Sequence, residues 1–336
     1  MMMHEALFYE KTGNGHVKCL LCPWLCSLKP GQTGICQVRQ NEEGTLETMI
    51  YDKVAAFGTD PVEKKPLYHF YPGKKIFSIG ETGCNLQCDF CQNYQISQCL
   101  PDDFYRFHPV TTEQLVEKAA AIDDNIGIAF TYNEPFTFYE FMFDTARLAH
   151  EKGLKNVVVS NGYVNQEPLL HILPLIDALN IDLKGFGNDF YKTHTKGRLE
   201  PVLHTLKQIT RQGKHLEISN LVIAGLNDHE AEFTNMVKWI ADETGPETPL
   251  HLLRYFPSYK LTLPETPGYI LKKLYEIAIR HLSYVYLGNT GNGIYSVTSC
   301  PTCGKELVQR SHYSVKIEQG FNGSCTECGT NLNFVV

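Results

Sequence analysis

The residues best suited to chemistry are three closely spaced cysteines, Cys84, Cys88 and Cys91, in the pattern C-x3-C-x2-C. A structural zinc site uses four protein ligands, so this group is one ligand short of closing one. A [4Fe–4S] cluster has four irons, and each needs a ligand beyond its sulfides. Three thiolates therefore leave one iron open, as catalytic metal sites do. The spacing predicts a reactive iron–sulfur centre.

Four further cysteines stand near the N-terminus, at C-x2-C-x3-C-x9-C, and they are Cys19, Cys22, Cys26 and Cys36. Four thiolates within 18 residues are enough to close a tetrahedral metal site. Zinc and an iron–sulfur cluster are both compatible with this spacing. The pattern leaves open a structural knuckle, a second functional centre, and four free thiols.

The last four paired cysteines form two C-x2-C-G motifs that lie 21 residues apart, and they are Cys300, Cys303, Cys325 and Cys328. The glycine after each pair frees backbone N–H groups to face sulfur. This predicts a zinc-ribbon-like or rubredoxin-like module whose metal, most simply zinc, supports folding. The remaining cysteine, Cys99, is assigned no function, because lone cysteines usually behave as small apolar residues.

Between these cysteine groups, short apolar runs alternate with amphipathic stretches. The predicted strands are 76–79, 127–131, 156–160, 178–183, 216–223, 250–255 and 283–287, and the predicted helices are 112–122, 136–152, 167–175, 200–212, 229–243 and 267–280. Residues 47–57 are predicted to form a strand or hairpin, and the proline-containing residues 60–73 a long loop. Six β/α repeats indicate a parallel sheet with helices outside, either a barrel or part of one.

Polar side chains follow three of these strands, and they are Asn133 and Glu134, then Ser160, Asn161 and Gly162, then Asp182 and Lys184. The carboxyl ends of parallel strands share one edge of a sheet, where functional residues collect. We therefore expect this set to face the three-cysteine loop. Each motif alone has an ordinary structural reading, since Asn-Gly forms turns and an Asp–Lys pair forms salt bridges.

The C-x3-C-x2-C motif, with Phe90 before its last cysteine, resembles the signature of radical S-adenosylmethionine (SAM) enzymes. In that family the open iron binds SAM, and one electron cleaves SAM to methionine and a 5′-deoxyadenosyl radical that abstracts a substrate hydrogen. The resemblance implies that Cys84, Cys88 and Cys91 are catalytic cluster ligands. It also implies that Phe90 packs beside the adenine.

The strand-end motifs resemble SAM-binding elements of the same family. Thr131–Pro135 is similar to a Gly-Gly-Glu-Pro element, which implies that Glu134 accepts hydrogen bonds from the SAM ammonium, with Asn133 beside it. Ser160-Asn161-Gly162 matches an element near the ribose. Asp182-Leu183-Lys184 matches an element whose lysine pairs with the methionine carboxylate.

The resemblance covers about residues 15–330 and is closest to the AmmeMemoRadiSam-system radical SAM enzymes, near the pyruvate formate-lyase activating enzymes. It implies a partial (β/α)6 TIM-like barrel at residues 61–290, after an N-terminal cysteine-rich segment at 1–60 and before a C-terminal module at 291–336. It also implies a reduced flavodoxin or ferredoxin as electron donor, with MEMO-type and AMMECR-type partner proteins. A glycyl-radical-enzyme activase and, more distantly, a zinc-binding scaffold or nucleic-acid-binding protein are the alternatives.

Composition agrees with an enzyme more than with a nucleic-acid binder, since the net charge is −7 and the pI is near 6.0. The sequence contains no long apolar run and no signal-peptide pattern, so we expect a cytoplasmic protein without a membrane anchor. Lys64, Lys65 or His69 is expected at the mouth of the active site. His251 is expected either to face that cavity or to be a buried structural histidine.

Overall fold

The computed structural model describes residues 4–104, 106–291, 293–311 and 314–336. Its centre is an eight-stranded sheet whose strands lie side by side in chain order. The strands are β1 (Ala56–Pro61), β2 (Lys75–Gly80), β3 (Asn125–Phe130), β4 (Lys155–Ser160), β5 (Ala178–Asp182), β6 (His215–Val222), β7 (Leu250–Arg254) and β8 (Val285–Gly288). Strands β2 to β8 are parallel. Within the described residues β1 and β8 are the two edges and do not pair, so the sheet is open.

A helix follows each strand from β2 to β7. These helices are α1 (Thr112–Ala120), α2 (Tyr139–Glu151), α3 (Gln166–Ile172), α4 (Leu199–Arg211), α5 (Glu230–Thr244) and α6 (Gly268–Ala278). Helix α4 shows why they pack on the sheet, because Val202, Leu206 and Ile209 recur at helical spacing and are fully buried. The six predicted strand–helix units and the seventh parallel strand are confirmed.

The sequence prediction for residues 47–73 is partly wrong. Strand β1 continues to Pro61 and pairs antiparallel with the whole of β2, from Ala56 opposite Gly80 to Pro61 opposite Lys75. Its sequence lacks a run of strand-forming residues, and two of its six residues, Phe57 and Thr59, are exposed. Pairing with β2 therefore determines this edge strand more than its own propensity does.

The N-terminal region consists of short antiparallel strands, which are His4–Glu5, Tyr9–Gly13, His16–Cys19, Ser27–Leu28, Arg39–Glu42, Thr45–Thr48 and Lys53–Val54; the last of these pairs with His108–Pro109. Val17 and Val38 are fully buried and belong to the same apolar core as Ile79 of β2. Arg39 forms a buried ion pair with Glu140 of α2. The N-terminal cysteine region is thus packed directly on the central domain.

The C-terminal region forms a three-stranded antiparallel sheet, with strands Thr298–Ser299, Glu306–Ser311 and Ser314–Ile317. Its small core includes Leu307 and Leu332 and is shared with Tyr284 and Tyr286 at β8. Among the described residues, no helix has the length and apolar character that crossing a membrane requires.

Arg310 connects this C-terminal sheet to the loop between β1 and β2. Its guanidinium donates hydrogen bonds to the Tyr68 carbonyl oxygen at 2.6 Å and to Thr298 Oγ1 at 2.8 Å, and it lies 4.2 Å from the centre of the Tyr68 ring. The buried Glu63 carboxylate lies 3.8 Å from Arg310 Nε. Arg310 is therefore a buried cation that supplies hydrogen bonds to Tyr68 and Thr298 and a positive charge near the Glu63 carboxylate.

We expect Arg310→Met to lower the free energy of unfolding by about 3–5 kcal/mol, because it leaves the Glu63 charge and the Tyr68 carbonyl buried without this partner. The measurement is denaturant unfolding of the metal-loaded protein. Arg280→Met is the matched control, since Arg280 is exposed, and its effect should stay within about 0.5 kcal/mol. Equal losses in the two variants would contradict the anchoring role.

Candidate active site

A cavity of about 660 Å³ lies over the carboxyl ends of strands β2 to β8. This is where parallel α/β sheets bind ligands, and the volume suits a small-molecule cofactor. Its lining includes most of the residues selected from the sequence, which are Cys84, Cys88, Phe90, Cys91, Asn133, Glu134, Ser160, Asn161, Asp182 and Lys184. Gly162 is the member of the predicted set that the cavity lining does not include.

The three cysteines of the loop after β2 contribute to one side of the cavity. Cys84 Sγ accepts long hydrogen bonds from Leu86 N at 3.4 Å and Asn161 Nδ2 at 3.6 Å. Burial raises the pKa of Cys84 well above its usual value and that of Cys88 to about 12. Thiolates at these positions need a cationic partner, so the donor set fits an iron–sulfur cluster.

The cysteine loop is held from outside by the segment after β5. The N–H groups of Gln87 and Asp89 donate to the carbonyl oxygens of Thr195 and His194 at 2.9 and 3.0 Å. The Asp89 carboxylate also lies 2.9 Å from His194 Nδ1. Sequence reasoning missed this pair, because the two residues are 105 positions apart and the cysteine motif that contains Asp89 does not indicate its partner.

Asn133 holds the same loop from the β3 side. Its Nδ2 donates to the Gly83 carbonyl oxygen at 2.7 Å, and its Oδ1 accepts from Glu81 N at 3.2 Å. Gly83 has a φ of +86°, a conformation that favours glycine. The Asn133 side chain is thus engaged in positioning the cysteine loop.

Glu134 joins the ends of β3 and β4 and is only 1% exposed. Its carboxylate accepts hydrogen bonds from Ser160 Oγ at 2.7 Å, Asn161 N at 2.8 Å and Phe136 N at 3.1 Å. Burial raises the pKa of Glu134 to about 7, although these three bonds oppose the shift. A carboxylate offers about four acceptor positions, so one position remains for a ligand.

Asn161 connects the β4 end to the cysteine loop. Its Nδ2 donates to Asn85 Oδ1 at 2.9 Å, and Asn85 Nδ2 in turn donates to the Tyr163 carbonyl oxygen at 2.7 Å. Asn85 was not selected from the sequence, although it follows Cys84 directly. Gly162, with a φ of +69°, turns this loop close to Ile181.

Lys184 supplies a cation on the β5 side of the cavity. Its Nζ lies 3.0 Å from Asp182 Oδ2 and 6.0 Å from the centre of the Phe90 ring. Burial opposes its charge, but Asp182 and Cys88 together raise the pKa of Lys184 above its usual value. Phe90 is buried, with Phe190 at a ring distance of 6.0 Å.

Of the three residues expected at the cavity mouth, Lys64 and Lys65 line the cavity and His69 does not. His69 is fully buried, stacks on Phe334, and shares a 2.7 Å hydrogen bond with Tyr286. The prediction for His69 is wrong, because this part of the loop turns toward the C-terminal sheet.

His251 lines the cavity and is also a buried, hydrogen-bonded histidine, so it satisfies both expectations. Its Nε2 lies 2.6 Å from Glu217 Oε2, and His215 Nε2 lies 3.1 Å from the other oxygen. Burial raises the pKa of Glu217, but the hydrogen bonds from the two histidines outweigh this and hold it well below its usual value.

The four C-terminal cysteines converge closely, with every Sγ within 4.8 Å of the others. Cys300 and Cys328 are 3.6 Å apart, and Cys303 and Cys325 are 3.5 Å apart. Each pair is followed by a glycine of positive φ. This arrangement fits a single tetrahedral ion. Cys19, Cys22, Cys26 and Cys36 line a second, smaller cavity.

Comparison with known proteins identifies the central domain. Residues 80–240, which contain the three-cysteine loop and all the strand-end residues above, match the model of the Radical SAM superfamily. Over 338 residues the chain is 42% identical to the uncharacterized protein MJ0808 of Methanocaldococcus jannaschii, covering 99% of this chain and 100% of that protein. The chain contains a radical SAM domain. Such a domain implies an enzyme that uses a [4Fe–4S] cluster, SAM and a reductant.

Proteins with a described activity also resemble the chain, at lower identity. The pyruvate formate-lyase-activating enzyme of Clostridium pasteurianum is 26% identical over 194 residues, which cover 54% of this chain and 77% of that enzyme. Among solved structures, a radical SAM methyltransferase from Sphaerobacter thermophilus matches with a TM-score of 0.49 and 15% identity, covering 65% of this chain and 67% of that one.

Proposed function

We propose that this protein is a radical SAM enzyme in which Cys84, Cys88 and Cys91 hold the [4Fe–4S] cluster and the strand-end residues hold SAM. The observation that supports this most is that, apart from Gly162, these residues all line one cavity of about 660 Å³. When bound, the cluster supplies the electron that cleaves SAM to methionine and a 5′-deoxyadenosyl radical, which takes a hydrogen atom from the substrate.

The polar residues of the cavity have separate tasks in this proposal. The Lys184 ammonium pairs with the SAM carboxylate. The Glu134 carboxylate, at its remaining acceptor position, accepts a hydrogen bond from the SAM ammonium. Asn133 holds the cysteine loop through its side chain and donates its N–H to the Thr131 carbonyl oxygen, so its own carbonyl oxygen is the group proposed to face SAM. Ser160 and Asn161 lie on the ribose side, Phe90 packs by the adenine, and Gly162 shapes their loop.

We expect Lys184→Met to weaken SAM binding roughly 10–100-fold, which corresponds to losing a charge-assisted interaction of about 1.5–3 kcal/mol. The measurement is equilibrium binding of SAM to the reconstituted protein. Lys192→Met is the matched control, because Lys192 is exposed on the segment that follows β5. Equal dissociation constants for the two variants would contradict the role of Lys184.

The hydrogen donor is a macromolecule or a small molecule, and a glycyl-radical-enzyme activase is the second candidate. That candidate is supported by the similarity to the pyruvate formate-lyase-activating enzyme and to a 4-hydroxyphenylacetate decarboxylase activating enzyme of Clostridioides difficile, the latter at 20% identity. An activase would produce a glycine-centred radical, visible by electron paramagnetic resonance (EPR), on a partner protein. A modification enzyme would leave a stable product without that signal.

The remaining proposals concern partners and organisation. We infer a reduced flavodoxin or ferredoxin as electron donor, MEMO-type and AMMECR-type proteins as partners, and a cytoplasmic location. The sequence resemblance supports the segments 1–60, 61–290 and 291–336, with zinc at the C-terminal cysteines. The compact arrangement of those four sulfur atoms supports the zinc proposal.

The proposed function is tested by EPR of the reduced, reconstituted protein with and without SAM. An open iron predicts that adding SAM changes the spectrum of the reduced cluster, because SAM becomes a ligand. The same protein without Cys91, as Cys91→Ala, should lack this response. An unchanged spectrum at saturating SAM would overturn the assignment of the open iron.

A further inference from the structure

The four N-terminal cysteines surround a small enclosed space of their own. Cys19, Cys22, Cys26 and Cys36 line a cavity of about 20 Å³ whose other walls are mainly apolar. Two of these thiols lie close to the same glycine, Gly34. A Cβ placed on Gly34 would lie 3.7 Å from Cys26 Sγ and 3.8 Å from Cys36 Sγ. The four side chains are thus arranged around one point.

Their spacing differs from that of the C-terminal cysteines. Among the described residues, the four C-terminal cysteines have all their sulfur atoms within 4.8 Å of one another, and the four N-terminal cysteines do not form such a compact group. One ion with Zn–S bonds of about 2.3 Å requires such compactness. A [4Fe–4S] cluster places each thiolate on a different iron and therefore spreads the sulfur atoms. The N-terminal set resembles the wider arrangement of Cys84, Cys88 and Cys91.

Arg39 adds an independent indication that this cavity receives an anionic group. It lines the cavity and is only 1% exposed. Its Nη2 donates to the Leu7 carbonyl oxygen and pairs with Glu140, whereas Nε and Nη1 have no hydrogen-bond partner among the described residues. Buried guanidinium donors without partners are costly. A cluster with four thiolate ligands carries net negative charge and supplies acceptors in its sulfur atoms.

The N-terminal cysteines are directly connected to the catalytic loop. Trp24, two residues after Cys22, donates from Nε1 to the Asn85 carbonyl oxygen at 2.6 Å. Asn85 also lines the N-terminal cavity and is the neighbour of Cys84. A Cβ on Gly83 would lie 2.7 Å from the Cys36 carbonyl oxygen, so the two loops are in backbone contact. One hydrogen bond therefore links the two cysteine groups.

We propose that Cys19, Cys22, Cys26 and Cys36 hold a second [4Fe–4S] cluster, which relays single electrons to the cluster at the active site. A reduced flavodoxin or ferredoxin is oxidised by one electron, the second cluster goes from its 2+ to its 1+ state, and it returns to 2+ on reducing the active-site cluster. No covalent bond or proton is transferred. Leu25 and Ile35, which are 41% and 37% exposed beside these cysteines, offer the donor an apolar contact.

The cluster itself is tested by metal analysis, which does not depend on activity. The reconstituted wild-type protein should contain about eight irons and eight sulfides, and Cys22→Ser/Cys26→Ser about four of each. Cys84→Ala/Cys88→Ala/Cys91→Ala should also retain about four irons and a reducible EPR signal. About four irons and two zincs in a well-folded wild-type protein would overturn the second cluster.

The relay rests on the proposed function and is tested by changing the electron donor. With reduced flavodoxin, Cys22→Ser/Cys26→Ser should cleave SAM at least about tenfold more slowly than the wild type. With dithionite, a small reductant that reaches the active-site cluster directly, the two rates should agree within about twofold. Equal losses with both reductants, or no loss with either, would overturn the relay. Absence of wild-type SAM cleavage with dithionite would instead count against the proposed function, and the iron analysis would still decide the cluster.

Discussion

Replacing Cys88 with alanine is expected to reduce SAM cleavage below detection. Cys88 is one of the three thiols that line the cavity, and its removal leaves two protein ligands for a cluster that needs three to keep a single open iron. The measurement is 5′-deoxyadenosine formation by the reconstituted, reduced variant. Metal at Cys300, Cys303, Cys325 and Cys328 should be unchanged, because that group lies in a separate sheet.

Cys99→Ala is the matched control for this prediction. Cys99 is a free cysteine outside the cavity lining, and its Sγ contacts the Leu100 carbonyl oxygen. The control should form 5′-deoxyadenosine at close to the wild-type rate. Retained cleavage in Cys88→Ala would show that the electron reaches SAM without this cluster, and the cluster assignment would be wrong.

The second large effect is expected from Cys303→Ala, which removes a ligand of the proposed C-terminal zinc site. Metal binding and folding are coupled in such sites, and structural zinc contributes about 10–16 kcal/mol in isolated finger peptides. Cys300 and Cys325 are buried in the small core that Tyr284 and Tyr286 share. We therefore expect loss of one zinc, a clearly lower melting temperature and a lower yield of folded protein.

Gln309→Ala is the control for Cys303→Ala, because Gln309 is exposed on a strand of the same sheet. It should keep the metal and melt close to the wild type. The protein that does fold as Cys303→Ala should still cleave SAM. A variant with the wild-type melting temperature but without activity would contradict a structural role and would require a catalytic one.

The features that were predictable from sequence are those with a local signal. The spacing of Cys84, Cys88 and Cys91 is itself the signal, and the parallel strands are continuous apolar runs that differ from the amphipathic helices between them. Because strand ends share one edge of the sheet, the positions of Glu134, Asn161 and Lys184 in the cavity followed from the predicted topology.

The features that were missed depend on contacts between distant parts of the chain. The Asp89–His194 pair spans 105 residues, and Arg39 pairs with Glu140 across 101. Neither pair has a local pattern that marks it. The His69 prediction failed for a related reason, since proximity in sequence to the cysteine loop does not determine the direction of a side chain in a long loop.

The loop cysteines and the strand-end residues are proposed to act together in the reductive cleavage of SAM. The most direct test is anaerobic: the protein is reconstituted with iron and sulfide, reduced with dithionite and incubated with SAM. We expect 5′-deoxyadenosine and an equal amount of methionine to form. A fully reconstituted and reduced protein that neither binds SAM nor forms 5′-deoxyadenosine would contradict it.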